Sequence, residues 1–524
     1  MVRFGYAAWE SPIESHVATE STVQPVYDLL VIGGGINGAG IARDAAGRGL
    51  KVLLCERGDL AEFTSSSSTK LIHGGLRYLE YYEFRLVREA LAERERLLKL
   101  APHIIWPLRF VLPHDEGLRP AWMLRVGLFL YDHLARLRTL PGSASVRLRT
   151  SPMGAPLQQR LTKGFVYSDC WVEDSRLVVL NAMDAQARGA EIRTRTGVAS
   201  ARREDGAWVA SLRDERTGTS ETVRAKAVVN AAGPWVSETL GETLGINSRS
   251  AVRLIKGSHI VVKRLFEGEQ AYILQQPDQR IVFAIPYERD FTLIGTTDVP
   301  YENEPGAVTI SDEETSYLCD CINRSFTKSI GPGDVVWSYS GVRPLYDDAA
   351  ANASAVTRDY VLDVSDQGGA LPVLSVFGGK ITTYRRLAEH ALEKLEPFFS
   401  DLKPAWTADA ILPGGNMPDA DFDSFLLTLQ AEKPFVPPET ARRLARAYGT
   451  RARDILKGAQ SLADLGEGFD GGLTAREVDY LRDREWVVTA HDILWRRSKL
   501  GLRTSPESEA RLQAYLDGKR AKAA

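Results

Sequence analysis

Three groups of residues in this chain have types and spacings that could do chemistry. The first is Gly33-Gly34-Gly35-Ile36-Asn37-Gly38, which follows an apolar run at 29–32. Gly33 permits a tight turn. Gly35 lets the backbone approach a pyrophosphate, and Gly38 lets a following helix pack closely on the strand before it. The N-terminus of such a helix offers free N–H groups and a positive dipole end to phosphates. Glu56 closes a second apolar run (52–55), where a carboxylate can accept hydrogen bonds from a ribose. The second group is basic: Arg77, Lys256, Arg343, Arg358 and Lys380 stand in turn-like motifs, and Arg and Lys are the side chains that grip phosphate. The third is His259, whose imidazole suits proton transfer near neutral pH. It lies in the alternating stretch Ser258-His259-Ile260-Val261, so a structural histidine is the competing reading.

These residues need elements to position them. The run 29–32, a helical pattern up to Gly49 and the run 52–55 make a βαβ unit. A serine-rich loop, 64–70, leads into Leu71-Ile72-His73-Gly74-Gly75-Leu76-Arg77-Tyr78. Short hydroxyl side chains and backbone N–H groups there suit dinucleotide phosphates. Residues 82–100 read as a helix, ended by Pro102, Pro107 and Pro113, and 121–138 as an amphipathic helix with a basic end. Strand patterns at 191–196, 208–213 and 223–230 suggest a small meander returning to the main sheet. A strand-rich stretch, 251–300, suggests a second sheet. Residues 373–376, then Phe377-Gly378-Gly379-Lys380, then a helix from about 382 to 395, form another strand–glycine–helix junction, the kind of place where α/β sheets bind ligands. The Pro/Gly-rich 401–420 reads as a boundary before a helical remainder, 421–524.

Composition bounds the rest. With 44% hydrophobic and 25% charged residues the chain is globular, and its net charge of −3 does not call for nucleic acid. No run of eighteen apolar residues predicts a membrane span, and the N-terminus lacks the apolar core of a signal peptide. Cys55, Cys170, Cys319 and Cys321 form no C-x-x-C pair, so free thiols are expected and no metal site.

Longer motifs say more. IGGGINGAGIARDAAGRG, SSSSTKLIHGGLRYLE, NAAGPW, RLIKGSHIVV, IGTTDV, YSGVRPL, TRDY and SVFGGKITTYR resemble the aerobic, FAD-dependent glycerol-3-phosphate dehydrogenases, from about residue 27 to the C-terminus. The resemblance implies an α/β fold: an FAD-binding, Rossmann-like domain of glutathione-reductase type, an interleaved β-rich substrate domain and a helical C-terminal domain. The expected division is a flexible extension at 1–24, the FAD-binding and substrate parts at 25–400 with the substrate sheet mainly at 245–340, a linker at 401–420, and helices at 421–524. It also implies oxidation of sn-glycerol 3-phosphate to dihydroxyacetone phosphate, with electrons passed to a membrane quinone. That places the protein in the cytoplasm, peripherally on the inner membrane; a homodimer is a further implication.

The fingerprint alone does not separate FAD from NAD. The likeness of NAAGPW to the second nucleotide-contacting strand of flavin oxidoreductases, and the N–H groups opening the helix after Gly378-Gly379, favour FAD. The implied cofactor contacts are Gly33, Gly35, Gly38, Glu56, Ser66, Ser67, His73, Gly74, Gly233, Gly379 and Lys380. The implied substrate residues are Arg77, Arg358 and Lys380 on the phosphate, with Tyr78 and Thr383 as hydrogen-bond partners. Arg343 and His259 are then expected at the reacting hydroxyl. Thr297 and Asp298 could close a polar site or form a plain turn. The alternative with the same substrate is an oxidase that passes electrons to oxygen and makes hydrogen peroxide. Two segments could meet a membrane: 121–138, with Trp122, Leu128, Phe129 and Leu130 near Arg125, Arg136 and Arg138, and 494–503, with Trp495, Arg496, Arg497 and Lys499. A helix face turned to the core is the plainer reading of both.

Overall fold

The computed structural model describes residues 26–115, 120–135, 139–247, 250–347 and 359–523. Two sheets carry it, their strands numbered here together in chain order. The first holds β1 (Val26–Ile32), β2 (Val52–Glu56), β7 (Glu191–Thr194), β8 (Thr196–Glu204), β9 (Ala207–Asp214), β10 (Ser220–Asn230), β17 (Val361–Gln367) and β18 (Ala370–Phe377). Its order is β17-β18-β10-β1-β2-β7, with the β8–β9 hairpin continuing from β10. The centre, from β18 to β7, is parallel.

Helices α1 (Ile36–Gly47) and α4 (Asp174–Ala187), with Tyr384–Leu395, cover one face of this sheet. Leu29 and Val31 point into that side, whereas Tyr27, Leu30 and Ile32 join Trp208 and Leu212 on the other. Both faces of β1 are therefore buried, which is why its sequence is a continuous apolar run.

The second sheet has ten strands: β3 (Leu71–Ile72), β4 (Ile105–His114), β5 (Ala144–Arg147), β6 (Lys163–Val172), β11 (Val252–Lys263), β12 (Ala271–Gln275), β13 (Ile281–Tyr287), β14 (Phe291–Gly295), β15 (Val299–Pro300) and β16 (Val335–Tyr346). Six of these strands, β11 to β16, fall at 252–346, and β3 to β6 extend the sheet to well before residue 245. Prolines hid β4. It meets β12 only at Phe110 and Val111, so Pro107 and Pro113 lie where β6 is its single neighbour. Helix Asp312–Ser325 covers one face, packing on Ile260 and Val262. Helices α2 (Phe84–Leu100) and α3 (Ala121–Leu134) cover the other, beside Val261. From Phe422 on, the described elements are helical and share a core of their own, running from Met417 to Leu516.

Candidate active site

A cleft opens at the carboxyl ends of β1, β2, β10 and β18, between the two sheets. It consists of two cavities, about 320 and 260 Å³, that share a wall of Gly35, Thr64, Ser65, Ala231 and Gly233. The first lies over Gly33, Glu56, Arg57 and Trp235; the second runs from Asn37 and Gly379 to His259 and Arg343.

The glycines of the first cavity are sterically required. Gly33 has φ +109°, and a Cβ there would lie 2.5 Å from the Ala231 carbonyl oxygen. A Cβ on Gly38 would lie 1.9 Å from the Gly33 carbonyl oxygen, so α1 can rest on the turn only without one. Gly35 lines both cavities. Glu56 is buried, and its carboxylate accepts the N–H of Gly34 at 2.6 Å and of Gly58 at 2.8 Å. Burial pushes its pKa up, against those two bonds. The Arg57 guanidinium lies 4.1 Å from the Trp235 ring centre.

The serine-rich loop divides its work differently from expectation. Ser65 accepts the Ile36 N–H at 3.0 Å, placing a hydroxyl at the N-terminus of α1. Ser67 lines the second cavity, but Ser66 turns back to donate to the Phe63 carbonyl at 3.2 Å and is not among the lining residues. Thr69 meets His259 Nε2 at 3.0 Å. The loop is pinned by buried Asp174, which accepts from Ser68 at 2.7 Å and from Lys70 at 2.8 Å.

In the second cavity, β11 and β16 place Gly257, His259, Tyr339, Gly341 and Arg343 on one face, because these residues alternate along paired strands. His259 is buried and stacks on Tyr339 with ring centres 4.7 Å apart. Burial first, then the cations of Lys70 and Arg343, hold its pKa well below the ordinary histidine range, so the imidazole is neutral. Arg343 donates to the Thr297 carbonyl at 2.9 Å and pairs with Asp298 at 2.7 Å. Lys380 Nζ lies 3.9 Å from the Tyr78 ring centre, and both residues line the cavity. Gly379 has φ +101°, and Asn37 donates to the Gly378 carbonyl at 3.1 Å, tying the β18 junction to α1.

The other expected residues divide between the cavity and its surroundings. His73 lines the cavity and its N–H bonds the Thr382 hydroxyl at 3.2 Å. Gly74 is buried behind it, its N–H donating to the Tyr131 hydroxyl at 2.8 Å, and serves packing against α3. Thr382, and not Thr383, lines the cavity; Thr383 is buried, its N–H donating to the Lys380 carbonyl at 3.1 Å. Arg77 is half-buried and outside the lining. Lys256 points away from the cavity and pairs with Glu314 at 2.7 Å. Arg358 lies outside the described residues. The site also holds Asn37, Ser65, Thr69 and Tyr339, none of them among the site residues expected from sequence, and Asp298, which the sequence allows as site or turn. Asn37 carries a signal by sitting inside the fingerprint, and Ser65 and Thr69 by sitting in the serine-rich loop; Tyr339 carries none.

The two segments that could meet a membrane differ in the structure. In 494–503, Arg496, Arg497 and Lys499 are buried and face inward. Helix α3 does the opposite: Trp122 (68% exposed), Val126 (50%) and Phe129 (52%) face out, and Tyr82 (80%), two residues before α2, is exposed as well. Arg136 and Arg138 lie outside the described residues. Among the described residues no helix is long and apolar enough to cross a membrane.

The cleft fits FAD. Glycine cradles approach both strand junctions, a helix N-terminus faces the shared wall, and the buried Asn37 Oδ1 lacks a hydrogen-bond partner among the described residues. Fold and site together define an FAD-dependent oxidoreductase. A family profile described as FAD dependent oxidoreductase matches residues 28–385, and one described as the C-terminal domain of alpha-glycerophosphate oxidase matches 405–517. The glycerol-3-phosphate dehydrogenase of Pseudomonas aeruginosa is 56% identical over 491 residues, 94% of this chain and 95% of that one. The D-erythritol 1-phosphate dehydrogenase of Brucella abortus is 53% identical over 490 residues, 94% and 97% of the two chains. The glycerol-3-phosphate dehydrogenase of Bacillus halodurans, solved in complex with FAD, superposes with a TM-score of 0.72 at 27% identity, covering 95% of each chain. The chain belongs to the FAD-dependent glycerol-3-phosphate dehydrogenase family, as its motifs suggested.

Proposed function

We propose that this protein oxidises sn-glycerol 3-phosphate to dihydroxyacetone phosphate and passes the electrons to a membrane quinone. The observation that carries this reading is the convergence of Arg343, Lys380 and His259 on one cavity beside the Gly378-Gly379 junction. Bound FAD supplies the hydride acceptor for the carbinol carbon. Lys380 and Tyr78 hold the phosphate end, with Thr382 as a hydroxyl partner. Arg343 draws charge onto the oxygen that becomes a ketone. His259, neutral and buried, accepts the hydroxyl proton; its Nδ1 has no hydrogen-bond partner among the described residues. Its depressed pKa makes it a weak base until negative charge builds up nearby. Tyr339 and Thr69 keep the ring in place.

The apolar outer face of α3 supports peripheral attachment to a membrane, the medium of a lipid-soluble acceptor. Placement on the cytoplasmic side of the inner membrane and a homodimer rest on the family alone. The Brucella abortus relative supports a second reading, in which the substrate is a four-carbon polyol phosphate.

The test is anaerobic bleaching of the flavin absorbance by sn-glycerol 3-phosphate and, separately, by D-erythritol 1-phosphate. Faster bleaching by glycerol 3-phosphate, with reoxidation by a soluble quinone and not by oxygen, is expected. Faster bleaching by the erythritol ester selects the second reading. Rapid reoxidation by oxygen selects an oxidase.

A further inference from the structure

Arg343 reaches the cavity from β16, yet its anchor comes from a different segment. The turn after β14 supplies Thr297 and Asp298. The Thr297 carbonyl accepts from Arg343 at 2.9 Å and the Asp298 carboxylate pairs with the same nitrogen at 2.7 Å. Neither Thr297 nor Asp298 lines the cleft.

The turn is itself fixed from behind. The Thr297 hydroxyl accepts the Ser258 N–H at 2.9 Å and donates to Glu314 at 2.7 Å. Ser258 donates to the same Glu314 oxygen at 2.9 Å, and Lys256 pairs with that carboxylate. Glu314 belongs to the capping box of helix Asp312–Ser325, closed by Ser311, so its position is set by a helix end. Space has been cleared on the other side. A Cβ on Gly257 would lie 2.4 Å from the Arg343 terminal nitrogen, so only glycine lets the guanidinium reach the turn.

A long side chain held by one carbonyl acceptor and one carboxylate ion pair on a braced turn keeps one orientation, and orientation is what a group stabilising charge in a transition state must have. We propose that Asp298 is the positioning residue for Arg343: it touches neither substrate nor cofactor, and acts by fixing the plane of the guanidinium. This rests on the role given to Arg343 above.

The test is a double-mutant cycle on the holoenzyme, read as the single-turnover rate of flavin reduction by glycerol 3-phosphate and as its substrate dependence. Asp298→Asn is expected to lower the rate roughly tenfold while the half-saturating substrate concentration changes less than about threefold. In an Arg343→Ala background the same change is expected to have no further effect, because there is no guanidinium left to orient. If Asp298→Asn does not give yellow protein, Asp298→Glu, which keeps the charge but moves it by one methylene, enters the same cycle. A near-native rate for the Asp298 variant, or losses that multiply in the double variant, overturns the inference and leaves Arg343 its role. A near-native rate for Arg343→Ala alone overturns both.

Discussion

At the scale of single residues, Arg343 and Lys380 are the side chains on which the reading of the site stands. Lys380→Ala and Arg343→Ala are each expected to leave a folded, yellow protein: Arg343→Ala lowers kcat for glycerol 3-phosphate by about 10²–10³-fold, the usual effect of removing one donor aimed at developing charge, and Lys380→Ala, which removes a phosphate contact, lowers kcat/KM chiefly by raising KM. Steady-state kinetics on FAD-loaded protein checks this, and near-native kcat/KM in either variant refutes the assignment. Buried histidines give a second expectation. His103 is fully buried and its pKa is pushed down to about 3, by burial first and then by Arg176 and Arg446; His259 is depressed likewise. Both are neutral when folded, whereas the unfolded chain takes up protons below about pH 6.5. The unfolded state then binds more protons, so stability falls as pH drops below that value. Denaturation midpoints measured from about pH 7 to 5 should decline, and His103→Leu should flatten the decline. Lys256 shows why residue type misleads: nothing in its own motif reveals Glu314, fifty-eight positions on, which neutralises it.

At the scale of elements, α3 is the informative case. Its pattern read most simply as a helix with one face in the core, and Leu128 and Tyr131 are indeed buried. The Tyr131 hydroxyl donates to Asp169 at 2.7 Å and accepts from Gly74, beneath the segment that carries His73 and Tyr78 to the cavity. The opposite face is also apolar, and no described element covers it. Periodicity reports a stripe of apolar residues but not whether a second stripe faces protein or lipid. Replacing Trp122 and Phe129 together by Ser is expected to reduce sedimentation with anionic vesicles while leaving flavin reduction by substrate unchanged. Undiminished vesicle binding would remove α3 as the attachment surface.

At the scale of the whole molecule, the helical C-terminal region grips the cofactor loop. Asp59, three residues past Glu56, is wholly buried and accepts from Arg496 at 2.6 Å and from Arg497 at 2.7 and 2.8 Å. Burial opposes its ionisation, but Arg497 and Arg496 win and hold its pKa near 2. This carboxylate therefore stabilises the fold above its unfolded pKa of about 3.9, and that contribution is lost as pH falls toward 2. Breaking a buried ion cluster by removing one partner costs about 3–5 kcal/mol. Asp59→Asn is expected to lower the melting temperature and the FAD content of purified protein together. Wild-type values of both would mean that the contact carries no load.

The sequence by itself determined the strand–glycine–helix units, through short-range constraints: a φ that only glycine adopts, a period of two or 3.6, a carboxylate at a strand end. The flavin and the family were legible through the resemblance of its longer motifs, such as NAAGPW and SVFGGKITTYR. Only the tertiary structure decided which basic residues face the cleft, why Ser65 and Thr382 line it in place of Ser66 and Thr383, and that Asp298 holds Arg343. Those outcomes depend on which distant segment packs against each side chain, and a one-residue step along a strand or turn reverses the direction a side chain points. No local pattern records that choice.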